Sequence, residues 1–109
     1  MSSVLEIIKT RRSVRKYKAD PVSRALIEKV IEAGTYAATG RGQQSPVIIA
    51  VTNKDLREKI TKLNAEIFGR PDFDTFYGAP VILIVAANKA NNTATYDGSL
   101  VLGNTMLEA

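Results

Sequence analysis

Hydrophobic positions along the chain change period several times, and each change marks an element. Val4, Ile7 and Ile8 fall on one face of a short helix over residues 3–10, the spacing of an amphipathic turn. From Ser23, a residue type suited to capping a helix N-terminus, Leu26, Val30, Ala33 and Ala37 keep helical spacing and predict a second helix to about residue 37. "VIIAVT" at 47–52 is rich in β-branched residues and reads as a strand. Asn53 then caps a third helix, whose Leu56, Ile60, Leu63 and Ile67 form an apolar stripe while Lys54, Arg57, Lys59 and Lys62 occupy the solvated side. The run "VILIVAA" at 81–87 lacks any polar alternation, which predicts a central strand buried on both faces. A last helix begins at about Ala94 and places Tyr96, Leu100, Gly103 and Leu107 on one stripe. Two loops complete the pattern, "ATGRGQQSP" at 38–46 and "GRPDFDTFYGAP" at 69–80, with Phe76 and Tyr77 of the second assigned to the core.

Two strands and about four helices leave a shortage, because a two-stranded sheet is marginal alone and the second strand reads as central. The last helix reaches "NTMLEA" with apolar residues still arriving and no C-terminal capping signal. The expectation is a single domain over residues 1–109 that forms the front portion of a larger one and associates with a partner chain.

Composition narrows the chemistry. The 109 residues are 45% hydrophobic and 24% charged, as in ordinary globular domains. The longest apolar run, residues 79–87, is too short for a membrane helix, which needs roughly 18 residues, and the N-terminus lacks a signal-peptide layout. A cytoplasmic location is the default expectation. The absence of both cysteine and histidine excludes disulfides, thiolate nucleophiles, imidazole-based triads and the usual zinc sites; no metal site is expected. Cofactor chemistry is compatible with those absences, since the cofactor itself reacts.

Charge narrows it further. Residues 1–18 hold six of the fifteen Lys and Arg and one of the eleven Asp and Glu, a local +5 against a chain total of +4. The cluster centres on "KTRRSVRKY" at 9–17, where Arg11, Arg12, Arg15 and Lys16 surround Ser13. Nucleic-acid binders spread cations along a face; this concentration fits one compact anion. A guanidinium holds two phosphate oxygens at once and stays charged at any working pH, and a serine hydroxyl adds another donor. The plain alternative is cations coating a helix C-terminus, where the dipole favours them. Gly40 and Gly42 begin a G-x-G, but it follows a helix and precedes a strand, the reverse of a dinucleotide fingerprint.

The ordered segments "RRSVRKY", "IEKVIEAGTYAATGRGQQSP", "VIIAVTNKDLREKI", "FYGAPVILIVAANK" and "DGSLVLGNTML" together resemble the first half of the flavin-dependent nitroreductase family. The resemblance implies an α/β (α+β) fold, a three-layer sandwich with a mixed β-sheet flanked by helices, here lacking its C-terminal half. It also implies a homodimer with FMN at the subunit interface. Hydride from NADH or NADPH would reach nitroaromatics, quinones or related acceptors by a ping-pong sequence. By this resemblance Arg11 and Ser13 serve the FMN phosphate and ribityl side, Arg12 the same neighbourhood, and Arg15 the pyrimidine edge of the flavin. Thr39, Gly40, Arg41 and Gln44 match the family's flavin-facing loop. Ala38, Gly42, Ser45 and Pro46 depart from it, standing where proline, asparagine, proline and tryptophan are usual. Asn64 lies near a position from which family members send an amide to the flavin, although an exposed helix residue is the preferred reading. Asp97 and Gly98 open the final segment in the family's manner, with helix packing as their role. Rival readings are a non-enzymatic flavin or anion-binding module and, more weakly, a small basic nucleic-acid-binding domain, which lacks aromatic platforms among its arginines.

Overall fold

The computed structural model describes residues 3–109, which form four helices, a short 3-10 turn and a two-stranded sheet. In chain order these are α1 (Val4–Thr10), α2 (Arg24–Thr35), the turn Gly40–Gly42, β1 (Val47–Val51), α3 (Lys54–Phe68), β2 (Ile82–Ala86) and α4 (Ala94–Glu108). The predicted order is reproduced, and no helix among the described residues is long and apolar enough to cross a membrane. The chain divides into two compact units. One takes in the chain up to Arg12 with Ser23–Ile49 and Val85–Ala109, the other Ser13–Val22 with Ala50–Ile84. The division falls inside both strands.

In the first unit, α1 starts at a reciprocal cap: the Glu6 N–H donates to Ser3 Oγ at 3.2 Å and the Ser3 N–H to Glu6 Oε2 at 3.1 Å, which satisfies two otherwise orphaned donors. Its predicted apolar face forms, but Val4, Leu5 and Ile8 stay exposed. The Ser23 hydroxyl caps α2 by accepting from the Leu26 N–H.

Helices α2 and α4 pack against each other, closest at Gly34, which is buried. A Cβ built there would lie 2.7 Å from Ile48 Cδ1, 2.9 Å from Thr105 Cγ2 and 3.2 Å from Val101 Cγ1. Asn104 Nδ2 donates to the Ala33 carbonyl at 3.0 Å beside this contact. The buried face of α4 is therefore Asp97, Val101 and Thr105. The predicted stripe had the right period and the wrong phase: Tyr96 is 72% exposed and Leu100 is exposed as well. A glycine in the facing helix selects small, β-branched neighbours for close approach, and the Thr105 hydroxyl is satisfied within α4 by the Leu102 carbonyl at 2.8 Å. In α2 the same shift leaves Leu26 exposed.

In the second unit, Asn53 caps α3 as expected, its Oδ1 accepting from the Leu56 N–H at 3.0 Å. Gly69 closes the helix in the left-handed conformation (φ 84°), with the Arg70 N–H reaching the Ala65 carbonyl at 3.1 Å, the usual use of glycine after a helix. The face assignment of α3 is corrected at three of its four apolar positions, Ile60 alone being half-buried. Arg57, Thr61 and Ala65 are buried, whereas Leu56, Leu63 and Ile67 of the predicted stripe are exposed, Ile67 at 86%. Arg57, assigned to solvent, is only 7% exposed. Its burial is tolerated because its guanidinium is fully engaged. Nε donates to the Ala79 carbonyl at 2.7 Å, Nη1 to Thr61 Oγ1 at 3.2 Å and Nη2 to Asp74 Oδ2 at 3.0 Å.

The carbonyl and the carboxylate both belong to the 69–80 loop, so one arginine fixes the loop's shape. Asp74 adds two backbone donors, the N–H groups of Phe76 and Gly78, each at 2.9 Å. Burial pushes the Asp74 carboxyl upward, but those N–H groups and the Arg57 guanidinium outweigh it and hold its pKa below the ordinary 3.8. Phe76 is half-buried. Tyr77, expected in the core, is instead exposed at a left-handed turn position (φ 53°) and meets Phe73 edge-on at 5.8 Å.

Strand β1 alternates between exposed and half-buried positions from Val47 to Ala50, but its last residue, Val51, is buried although it shares the parity of the exposed Val47 and Ile49. In β2 only Ile82 is buried; Leu83, Ile84 and Val85 are half-buried. The expectation of burial on both faces is not met by the described residues, because β1 is the sole strand paired with β2.

Candidate functional site

The candidate residues lie on two segments that contain no regular helix or strand. The first leaves α1 at Arg11, whose backbone turns extended (φ −57°, ψ 137°), and continues without secondary structure as far as Val22. Every side chain along it is exposed. Arg12 is committed to the protein, its Nη1 donating to the Lys9 carbonyl at 2.8 Å and the Arg11 carbonyl at 2.9 Å. It thus covers the carbonyl end of α1, as the helix-terminus reading proposes for cations. Arg11 and Arg15 differ: among the described residues neither guanidinium has a hydrogen-bond or ion-pair partner. The cluster therefore divides into one arginine that finishes a helix and two, on either side of Ser13 in sequence, whose donors are not used among the described residues. Arg11 and Arg12 belong to the first unit, Ser13 and Arg15 to the second.

The second segment, residues 39–44, is a tight loop of the first unit. Thr39 stands before the 3-10 turn, and its Oγ1 accepts from the Gln44 N–H at 3.0 Å, tying the loop's two ends together. Three of the residues between these points adopt left-handed backbone: Arg41 (φ 56°), Gly42 (φ 65°) and Gln44 (φ 51°). Glycine does this freely, but for the two side-chain-bearing residues the conformation costs roughly 1–2 kcal/mol each. Strain of this kind persists only where neighbouring contacts enforce it. The turn follows a helix and precedes a strand, which agrees with rejecting a dinucleotide fingerprint.

The enforcing contact comes from α4. The Gly40 N–H donates to Asp97 Oδ1 at 2.9 Å, and Thr93 Oγ1 donates to Asp97 Oδ2 at 2.9 Å. Asp97 is 3% exposed. Helix packing is part of its role, but the link to Gly40 goes beyond what the sequence suggests. The cue available there is the Thr93 and Asp97 pair, four residues apart at a helix start, where a threonine hydroxyl and a carboxylate meet. Between the loop and residues 90–93 lies an open recess of about 490 Å³, lined by Arg41, Gln43, Asn91 and Asn92 among others. Ser45, next along, carries a solvent-shielded hydroxyl with no hydrogen-bond partner among the described residues. Asn64 is half-buried rather than exposed, its Nδ2 donating to Thr75 Oγ1 at 2.6 Å.

Residues 8–109 match the Nitroreductase family. A nitroreductase with bound FMN from Bacteroides fragilis superposes with a TM-score of 0.90 at 27% identity, covering 100% of this chain and 65% of that one. The FMN reductase (NAD(P)H) of Bacillus subtilis is 31% identical over 88 residues, 81% of this chain and 33% of that protein. An NADPH-dependent oxidoreductase of Staphylococcus saprophyticus is 32% identical over 63 residues, 58% of this chain and 25% of that protein. The chain thus spans a quarter to a third of these two curated relatives and just under two thirds of the solved nitroreductase.

Proposed function

The chain belongs to the nitroreductase family, and from that premise we propose that it binds FMN and serves NAD(P)H-dependent reduction of a small acceptor, a nitroaromatic or quinone among them. The observation that carries the reading is the pair of unengaged guanidiniums, Arg11 and Arg15, on either side of the exposed Ser13. This donor set fits FMN, with the Arg11 fork and the Ser13 hydroxyl for the phosphate side and the Arg15 fork for the ring, and within these five residues of sequence no carboxylate competes.

In the proposed arrangement Arg11 and Ser13 donate to the phosphate and ribityl oxygens, and Arg12 keeps the end of α1 closed beside them. Arg15 lies along the pyrimidine edge, where a fixed cation favours negative charge on the ring system. Thr39, Gly40, Arg41 and Gln44 form the loop that meets a flavin, and the assembly we propose is a homodimer with that flavin at its interface. FMN, when bound, supplies the hydride acceptor and donor. The protein's own residues bind, orient and hold charge, consistent with a chain that has no thiol or imidazole.

Two measurements test this. Arg11→Ala and Arg15→Ala should each weaken FMN binding by about tenfold or more, the scale of a lost charged hydrogen bond; unchanged affinity in both variants rejects the residue assignment. Anaerobic addition of NADPH should bleach the bound flavin. A yellow protein that NADPH leaves oxidised would support the non-enzymatic flavin-binding module instead.

A further inference from the structure

We propose that Asp97 is a positioning residue whose carboxylate clamps the 39–44 loop in its ligand-facing conformation. The proposal rests on the flavin reading above for what the loop meets, and on the geometry of the first unit for the clamp itself.

The Asp97 side chain is almost wholly buried, yet it makes no ion pair among the described residues. A buried carboxylate is costly unless donors satisfy it, and a helix-packing position is served more cheaply by an apolar residue, as Val101 serves one turn further on. Its two donors explain its presence. One is the hydroxyl of Thr93, a turn earlier in the chain; the other is the N–H of Gly40, fifty-seven residues away in sequence. The second bond joins the start of α4 to the loop.

Gly40 is the residue that lets the loop come so near. A Cβ at position 40 would lie 2.9 Å from both Cβ and Cγ2 of Thr93, with Oγ1 closer still, so a side chain there would push the loop off its anchor. The left-handed backbone at Arg41 follows directly on the clamped N–H, and the Thr39 hydroxyl holds the Gln44 N–H at the far end. The loop is thus pinned at both ends by side-chain oxygens. Its strained residues, Arg41 and Gln44, are two of those proposed to meet the flavin. Releasing Asp97 relaxes them without touching any ligand contact.

The test compares Asp97→Ala and Asp97→Asn with Asn104→Ala, which removes the α4 hydrogen bond to Ala33 and leaves the loop alone. Amide hydrogen exchange at Gly40 and FMN affinity are read at a temperature where circular dichroism shows the parent and all variants folded. Asp97→Ala should speed Gly40 exchange and raise the FMN dissociation constant, each by about tenfold. Asp97→Asn, which keeps an acceptor for the Gly40 N–H, should recover most of both. Asn104→Ala should leave both unchanged. If Asp97→Ala does not fold, Thr93→Val carries the reading by raising Gly40 exchange, and unaltered exchange in that variant overturns the clamp. Unaltered Gly40 exchange in Asp97→Ala overturns the clamp. So does an Asn104→Ala protein that loses as much FMN affinity as Asp97→Ala, since the effect is then general to α4. A parent protein that binds no FMN overturns the flavin reading alone, and the Gly40 exchange still decides the clamp.

Discussion

Gly34→Ala sets two established effects against each other, and the structure decides between them. In an exposed helix interior, alanine in place of glycine stabilises by roughly 1 kcal/mol. At Gly34 the added methyl meets Ile48 Cδ1 at 2.7 Å, Thr105 Cγ2 at 2.9 Å and Val101 Cγ1 at 3.2 Å. Ile48 Cδ1 is the end of a flexible side chain and moves aside easily. Thr105 and Val101 are β-branched residues inside a helix, with little rotamer freedom, so the relief must come from α2 and α4 moving apart. Overpacking of this kind costs about 1–3 kcal/mol, and parting the helices also stretches the Asn104 to Ala33 hydrogen bond. The net expectation is destabilisation of about 1–2 kcal/mol, read from urea denaturation followed by circular dichroism. Thr105→Ser in the same background removes the offending Cγ2 and keeps the hydroxyl that bonds the Leu102 carbonyl. It should restore a substantial part of the loss. A Gly34→Ala protein more stable than the parent would refute the packing argument and leave helix propensity as the governing term.

Arg57→Ala should destabilise by about 1–3 kcal/mol, because it leaves the Ala79 carbonyl without its donor while Asp74, partly exposed, keeps the Phe76 and Gly78 N–H groups; denaturation midpoints check this, and a change within experimental error contradicts it. Asp74 has a folded pKa below its unfolded value. Its contribution is therefore complete above about pH 4 and is lost as pH falls through the folded pKa. The parent should lose stability below about pH 4 more steeply than Asp74→Asn, and parallel curves would contradict that. Ser45→Ala removes a shielded hydroxyl that has no partner, so it should be neutral or stabilising by up to about 1 kcal/mol; a clear loss of stability would show that the hydroxyl is engaged.

The elements and their order were legible in the sequence because capping and period are local. Ser23 and Asn53 cap the helices they were expected to cap, and Gly69 ends α3. Which face a helix buries is not local, and there the reading failed twice. In α3 Leu56, Leu63 and Ile67 point outward while Arg57, Thr61 and Ala65 turn inward, a choice set by the carbonyl of Ala79 and the carboxylate of Asp74, more than fifteen residues away. In α4 a glycine of another helix selects Val101 and Thr105 over Tyr96 and Leu100. The arginine cluster was visible as charge, but its division was not. That Arg12 serves the end of α1 while Arg11 and Arg15 stay unengaged depends on where the backbone leaves the helix. The Asp97 to Gly40 bond was hidden for the same reason, its partners lying fifty-seven residues apart in sequence.

Arg11 and Ser13 are proposed to hold the phosphate of a flavin mononucleotide. Titrating the protein into FMN and, separately, into riboflavin while following flavin fluorescence isolates that phosphate, since the two ligands share every other atom of the ring and side chain. FMN should bind saturably, with affinity at least about tenfold above that for riboflavin, and the difference should be lost in Arg11→Ala. Equal affinity for the two flavins, or FMN that titrates without any change in its fluorescence or absorbance, would contradict it.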